Sequence, residues 1–563
     1  GVLQQPVNSR HIAMMRWCVS LLLLWLANAD RWRGVNGTCP GTAFKRQTAS
    51  NVEQCKRRCE ALPACQGVSY DRQSQNCAFL AGTEAVATET PRCFNQHHVE
   101  VFVMMPLDLV SMDGQLQEDQ LPAIWAALAT SKADGFMVDV WWGITEPEPK
   151  KYNFAPYRRL IDEAKSRGFK VQIVSSFHQC GGNVGDACNI PLPEFVRSLP
   201  DIWYKDAEGK ETKEYISLFA DAVPLADQRT PLKMYGDWFK AFRKEFKNEL
   251  KGEPIVEIMV GLGPCGEMRY PSYPLDRWSF PGIGAFQSFD VHALKSLRTA
   301  AQNETFMPPH VNYNDFPQDT SFFSLNHPSN YVSSTGHFFL EWYSAALKQH
   351  GTDVISIAQK IFKKVRLAAK ISGIHWWYQS PSHAAEVTAG YYNTNFHNAY
   401  LEIAQVLKNA GAEVFDFTCL EMRDSEQPED AHSGPEELVR QSQAAAEAAG
   451  LHFAGENALQ RYDQSAYDQM LVYKENLFAL TYLRMTEALM QPENLQRFRC
   501  FVFAMHGDQS DCTIPDNRQS LLKRSAWLPE VKKMAADITS LARCKAPGLW
   551  LIFGLLAFVS AAA

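Results

Sequence analysis

From residue 98 onward, short apolar runs alternate with longer amphipathic stretches. The runs are Val99–Leu109, Gly135–Trp142, Phe169–Phe177, Ile255–Leu262, Val365–Ile374, Val414–Leu420, Leu451–Ala454 and Leu477–Leu483. Bounded by Gly, Pro and polar residues, they read as strands of a buried sheet. Between them, Tyr157–Arg167, Thr230–Leu250, Gly336–Lys348 and Glu436–Ala449 repeat apolar residues at helical spacing. Strands alternating with helices predict an α/β fold, an enlarged (β/α)8 TIM barrel. The irregular stretches Asp186–Pro224 and Pro308–Ser334 are expected as long βα loops after strands 3 and 4, on the face where a barrel builds its site.

The first hundred residues follow another pattern. Of 14 cysteines, six fall between Cys39 and Cys93: Cys39, Cys55, Cys59, Cys65, Cys77 and Cys93. Asn51–Leu62 has helical spacing, with Cys55 and Cys59 on one face, and Gly67–Tyr70 reads as a short strand. No CxxC pair favours zinc, so the cluster is read as a small disulfide-rich module made in an oxidising compartment. A secretory leader fits that reading. Arg16 precedes an apolar run to Leu26 and then Ala27-Asn28-Ala29, which places a leader in 1–29 and a module in 30–97. The rival, a membrane anchor, needs a longer run. Asn36 and Asn303 head glycosylation sequons. At the other end, the barrel is expected over 98–543 and a hydrophobic tail over 544–563, whose uncharged Gly548–Ala563 reads as a lipid-anchor signal or a short membrane helix. A helix packed on the protein body is the alternative.

Composition narrows the partners. A net charge of −7 carries no basic excess, which argues against nucleic acid. Hydrophobic residues at 46% and aromatics at 12% suit a large core and an aromatic-lined cleft. No phosphate loop, dinucleotide fingerprint, nucleophile elbow or His-Glu-x-x-His motif occurs, so neither cofactor nor metal is expected. Asp424–Asp430 is acidic but lacks calcium-loop spacing, and is read as a solvated loop.

Polar residues gather where the strands end. Asp139 sits beside Trp141-Trp142, and Phe177 is followed by His178 and a Gly-rich stretch to Asp186. GLGPCGEMRYPSYP (261–274) holds Glu267 among Arg269, Tyr270 and Tyr273. Lys370 and His375-Trp376-Trp377 belong to strand 5, Thr418 and Glu421 follow strand 6, Gly455-Glu456-Asn457 follows strand 7, and Arg484 follows strand 8. Singly, each has a structural reading: a buried ion pair for Asp or Arg, core for a Trp pair, a solvated Glu in a turn. Two carboxylates across an aromatic cleft are the equipment of a glycosidase. One protonates the leaving oxygen, and the other activates water or attacks the anomeric carbon.

These blocks resemble the beta-amylases, glycoside hydrolase family 14. The resemblance is carried by MVDVWWG (137–143), SFHQCGGNVGD (176–186), GLGPCGEMRYPSYP (261–274), SGIHWWY (372–378), AEVTAGYY (385–392), FTCLEMRDSEQP (417–428), GENAL (455–459) and TYLR (481–484). It implies Glu267 as general acid and Glu456 as general base. Asp139, His178, Asp186, Lys370, His375, Thr418, Asn457, Ala458 and Arg484 fall on its sugar-binding positions. Gly181–Cys188 would be a mobile lid and Asp416–Arg423 an inner loop. The implied reaction is exo-acting, inverting hydrolysis of α-1,4-glucans (starch, glycogen-like chains or maltodextrin), releasing maltose from non-reducing ends. Cys265 stands where a small residue such as Ala is expected, and Met268 where Leu is usual. The cysteine-rich module resembles the PAN/apple family, which implies a carbohydrate or protein ligand. A secreted or surface location is expected, with membrane attachment through the tail. The alternatives are a non-catalytic glucan-binding, sensing or adhesion protein that keeps the barrel, and a retaining barrel glycosidase.

Overall fold

The eight apolar runs form eight strands: β1 (Glu100–Met104), β2 (Gly135–Trp141), β3 (Lys170–Ser176), β4 (Ile255–Val260), β5 (Arg366–Ile371), β6 (Val414–Phe417), β7 (His452–Glu456) and β8 (Ala479–Tyr482). All pair in parallel in sequence order, and β8 pairs with β1 to close the barrel. The computed structural model describes residues 98–507 and Cys512, and the backbone of five strands between 32 and 96.

Period-two alternation sorts the barrel interior. Met137, Val174, Ala368, Val414, Ala454 and Ala479 pack with Phe102, Met104 and Met259 as an apolar inner cluster. Two residues further along their strands stand Asp139, Ser176, Lys370, Asp416 and Glu456. Because alternate residues share a face, an apolar layer is followed by a polar one toward the C-terminal rim. Deeper in the barrel, Thr481 donates to Gln172 Oε1 (2.9 Å), and Gln172 Nε2 donates to Glu257 Oε1 (3.0 Å).

One helix from each βα unit surrounds the barrel: α1 (Leu121–Ser131), α2 (Ala155–Arg167), α3 (Pro231–Glu245), α4 (Ser334–Phe362), α5 (Ala399–Ala410), α6 (Pro435–Ala449), α7 (Gln464–Val472) and α8 (Pro492–His506). Their starts carry ordinary signals. Thr230 caps α3 by accepting from Lys233 N, and Ser333 caps α4 by accepting from Gly336 N. Two helices depart from the sequence expectation. α3 stops at Glu245, and a separate 3-10 turn covers Glu249–Lys251. α4 runs 29 residues, well past Lys348. Gln349-His350-Gly351 has the look of a helix end, yet Gly351 continues the helix. A Cβ there would lie 2.4 Å from Met268 Sδ, so this glycine permits close packing.

The loop after β3 holds a short helix (Glu194–Arg197) and an antiparallel pair, Trp203–Lys205 with Glu211–Ile216. The loop after β4 contains the helix Val291–Ala301, followed by an irregular stretch. Asn303, heading a sequon, is exposed just beyond that helix.

At the opposite, N-terminal end, the first strand and last helix are joined. Val99 N donates to Met505 O (3.1 Å), and His506 Nε2 lies 2.8 Å from Asp134 Oδ2. Asp134 also accepts from Val101 N (2.8 Å), while the His98 and His506 rings stack at 4.4 Å.

Between 32 and 96 the strands form one antiparallel sheet, ordered Trp32–Thr38, Val86–Gln96, Gly67–Asp71, Asn76–Ala81, Thr42–Thr48. The expected Gly67–Tyr70 strand is present. The expected helix Asn51–Leu62, the leader, the module's cysteine pairing and the tail 544–563 lie outside the described residues. No described helix is long and apolar enough to cross a membrane.

Candidate active site

β4 leaves the barrel through a turn with no room for side chains. A Cβ on Gly263 would meet Glu267 O at 2.5 Å and Arg269 O at 2.7 Å. Pro264–Gly266 then forms a 3-10 turn, with Cys265 and Gly266 in the left-handed region (φ 54° and 77°). Glu267 N donates to Pro264 O (2.8 Å), and Met268 N donates to Lys370 O (2.9 Å). The Glu267 backbone is thereby bridged in parallel to that of Lys370. Its buried carboxylate accepts from Arg269 Nε at 2.6 Å. Burial works against the guanidinium charge, but Glu267 and Glu214 with Cys265 together outweigh it and hold the Arg269 pKa above its usual value.

Glu456 ends β7, buried inside the rim. Lys370 Nζ lies 2.8 Å from its Oε2. Burial pulls the lysine pKa down, and the Glu456 and Asp416 carboxylates raise it overall, so it stays charged. Asp416, inward on β6, has its pKa raised well above the ordinary carboxylate range, first by burial and then by Glu456. Glu456 Oε1 is buried without a hydrogen-bond partner in the protein. Buried polar atoms are rarely left so.

Other candidates surround this pair. Asp139 accepts from Ser176 Oγ (2.8 Å). His178 lies edge-on to Trp141 (5.1 Å), and burial pushes its pKa down to about 4, against Asp139 and with Lys370 and Arg269. Arg484 donates to Met105 O (2.9 Å) and lies within the fields of Asp139, Glu456 and Asp186. Asp186 Oδ2 accepts from Gly181 N (2.9 Å) and Asn183 N (3.2 Å). Thr418 Oγ1 accepts from Gly373 N (2.7 Å).

His375 stands apart from the charged group, flanked by Phe280 and Trp376, and burial alone lowers its pKa to about 4. The Asn457 side chain is committed within the protein: Nδ2 donates to Leu459 O and Leu483 O, and Oδ1 accepts from Leu483 N. Ala458 N donates to Glu421 Oε2 (3.0 Å). Buried nitrogens of His178, His375 and Arg484 also lack hydrogen-bond partners, as does Asp416 Oδ2.

The tryptophan pairs divide in role. Trp141, Trp142 and Trp377 are buried. Trp376 is only half-buried and packs with Tyr273 (5.0 Å), Trp278 (5.4 Å) and Phe280 (5.9 Å). These rings form an aromatic wall that meets the Glu267 loop at Tyr273, whose ring lies 5.9 Å from the Arg269 guanidinium.

The glycosyl hydrolase family 14 profile matches residues 102–510. The chain belongs to this family. It is 43% identical over 468 residues to a beta-amylase of Medicago sativa, covering 78% of this chain and 92% of that one. It is 47% identical over 433 residues to beta-amylase 2, chloroplastic, of Oryza sativa subsp. japonica, covering 72% and 77%. The crystal structure of the catalytic domain of beta-amylase from Paenibacillus polymyxa superposes with a TM-score of 0.61 at 29% identity, covering 73% of this chain and 99% of that one. The PAN domain profile matches residues 33–102. The protein is thus a glycoside hydrolase of the beta-amylase kind with a PAN domain before its barrel.

Cys265 and Met268, the two residues expected to depart from the family pattern, have physical settings. The free thiol of Cys265 meets Arg269 Nη2 (3.8 Å), and burial raises its pKa well above the ordinary thiol value, which keeps it protonated. Met268 is fully buried against α4. Sequence reading missed two disulfides, Cys180–Cys188 and Cys500–Cys512. It also missed Asp416 as a site residue, although period two from Val414 would have turned it inward. Glu214, on the excursion after β3, carried no local signal. Burial pushes its pKa up to about 7.

Proposed function

We propose that this enzyme hydrolyses α-1,4-linked glucans from their non-reducing ends, releasing maltose with inversion. The observation carrying this reading is Glu456. Its Oε2 is held by Lys370 at 2.8 Å, while its Oε1 is buried and free of protein partners. A carboxylate held by an ammonium at one oxygen, with the other buried and without a hydrogen-bond partner, suits a base that takes a proton from water. Glu267 protonates the departing glycosidic oxygen from the opposite side of the sugar. Inversion asks for a carboxylate separation of about 6.5–9.5 Å, leaving room for that water.

Asp139, His178, Asp186, Lys370, His375, Thr418 and Arg484 hold sugar hydroxyls in this reading, joined by the backbone at Asn457 and Ala458. Trp376 supplies an aromatic face. Gly181–Cys188 closes over the chain end and excludes water. The PAN module, assigned to 30–97, acts as an accessory domain for a carbohydrate or protein ligand. Secretion is supported by two disulfides in the barrel domain. Membrane attachment rests on the tail 544–563 alone.

Glu267→Gln and Glu456→Gln are each expected to abolish maltose release from soluble starch while maltose binding persists. NMR of the first product should show the β anomer. Full activity in either variant, or an α-anomeric product, overturns the reading.

A further inference from the structure

The loop closed by Cys180–Cys188 exposes most of its residues: Gly182, Val184, Gly185 and Ala187 face solvent. Asn183 is the exception, at 7% exposure. Its Nδ2 donates to Glu214 Oε1, and its Oδ1 accepts from Arg269 Nη2 (3.2 Å). Arg269 passes its Nε to Glu267 (2.6 Å) and its Nη1 to Tyr270 O (3.2 Å). Glu214 and Arg269 are also buried. Its amide is therefore oriented from both sides, as acceptor for the arginine and donor to the acid. The carboxyl of Glu214 is itself anchored through its residue's backbone, whose oxygen accepts from Gln179 N (2.8 Å).

We propose that Asn183 is a positioning residue for the general acid: docked on Glu214, it fixes the Arg269 fork, and Arg269 fixes the rotamer of Glu267. Proton delivery is thereby tied to the docking of an otherwise solvent-facing loop. This rests on Glu267 being the acid. A guanidinium is planar, and its donors move as one body. Restraining Nη2 from the loop side restrains the Nε–H that Glu267 accepts. Without Asn183 the fork tilts toward Cys265 Sγ and Tyr270 O, its remaining neighbours, and Glu267 loses its orientation.

The test separates proton delivery from binding by changing the leaving group. A glucan alkoxide needs a proton as it departs, whereas fluoride does not. With α-maltosyl fluoride, water adds its oxygen to C1 and gives a proton to Glu456, and the C1–F electron pair leaves with fluoride. Asn183→Ala should lower kcat on maltodextrin by about 10²-fold and leave kcat on the fluoride within about twofold. The double variant N183D/E214Q reverses the donor and acceptor of the first bond and keeps an oxygen facing Arg269, so it should recover most maltodextrin turnover. Equal slowing on both substrates, or no rescue by N183D/E214Q, overturns the proposal. Glu267→Gln is the control. It should lose maltodextrin turnover and keep fluoride hydrolysis, and if it loses both, the acid assignment itself fails.

Discussion

The ammonium of Lys370 stands 2.8 Å from Glu456 Oε2, on a strand whose backbone also bridges to Glu267. One residue thus supports both carboxylates, through its side chain for one and its main chain for the other. Lys370→Met keeps the bulk and removes the ammonium that contacts Glu456 Oε2. The expected result is a kcat loss of about 10²–10³-fold, since Glu456 Oε2 would lose its cationic partner beside the buried Asp416. Steady-state kinetics on soluble starch checks this, and unchanged kcat would sink it.

Glu257 offers a pH test away from the rim. It is buried on β4, bonded to Gln172 (3.0 Å) and 3.4 Å from Arg366. Burial, outweighing Arg366, raises its pKa from 4.5 to about 7. A folded-state pKa above the unfolded value means its contribution is present at low pH and lost as pH rises through about 7. Glu257→Gln removes that loss, so its stability relative to the native enzyme should improve between pH 5 and pH 8, by up to about 3 kcal/mol. His178 and His375, shifted the opposite way, are common to both proteins and cancel. A denaturation difference that stays constant with pH would refute this.

The Cys180–Cys188 bond encloses the residues that hold Asp186 and Asn183 in place. Cys188→Ser should cost about 2 kcal/mol locally, open 181–187 to limited proteolysis, and raise KM for maltodextrin several-fold. A protease-resistant loop with unchanged KM would show that Asn183 and Asp186 hold it without the cross-link.

Trp376 is the half-buried tryptophan of the aromatic wall, beside the exposed Phe280. Trp376→Ala should raise KM about tenfold with a smaller change in kcat, reflecting roughly 1–1.5 kcal/mol of stacking lost. A kcat effect larger than the KM effect would place this ring elsewhere in the cycle.

Strand count and order are legible because the barrel obeys period-two alternation, and the candidate residues are expected at strand ends, where the structure gathers Asp139, Lys370 and Glu456. Glu456 shows where the reading slipped. The apolar run stops at Ala454, but pairing continues to Glu456, because a strand ends where its hydrogen bonds do rather than where its hydrophobicity does. Helix α4 likewise runs past the expected Lys348, because Gly351 serves close packing against Met268 rather than ending the helix. Glu214 and Asn183 were illegible as partners because their contact joins separate parts of the long β3 loop, and no local pattern encodes it. Asn457 is a candidate from its place after β7, while the commitment of its side chain to Leu459 and Leu483 is visible only in the fold.

The contacts of Asp134, Val99 and His506 bring the start and finish of the barrel to one place, beneath the floor rather than beside the mouth. Anything spliced onto either end of this barrel begins its path from that side.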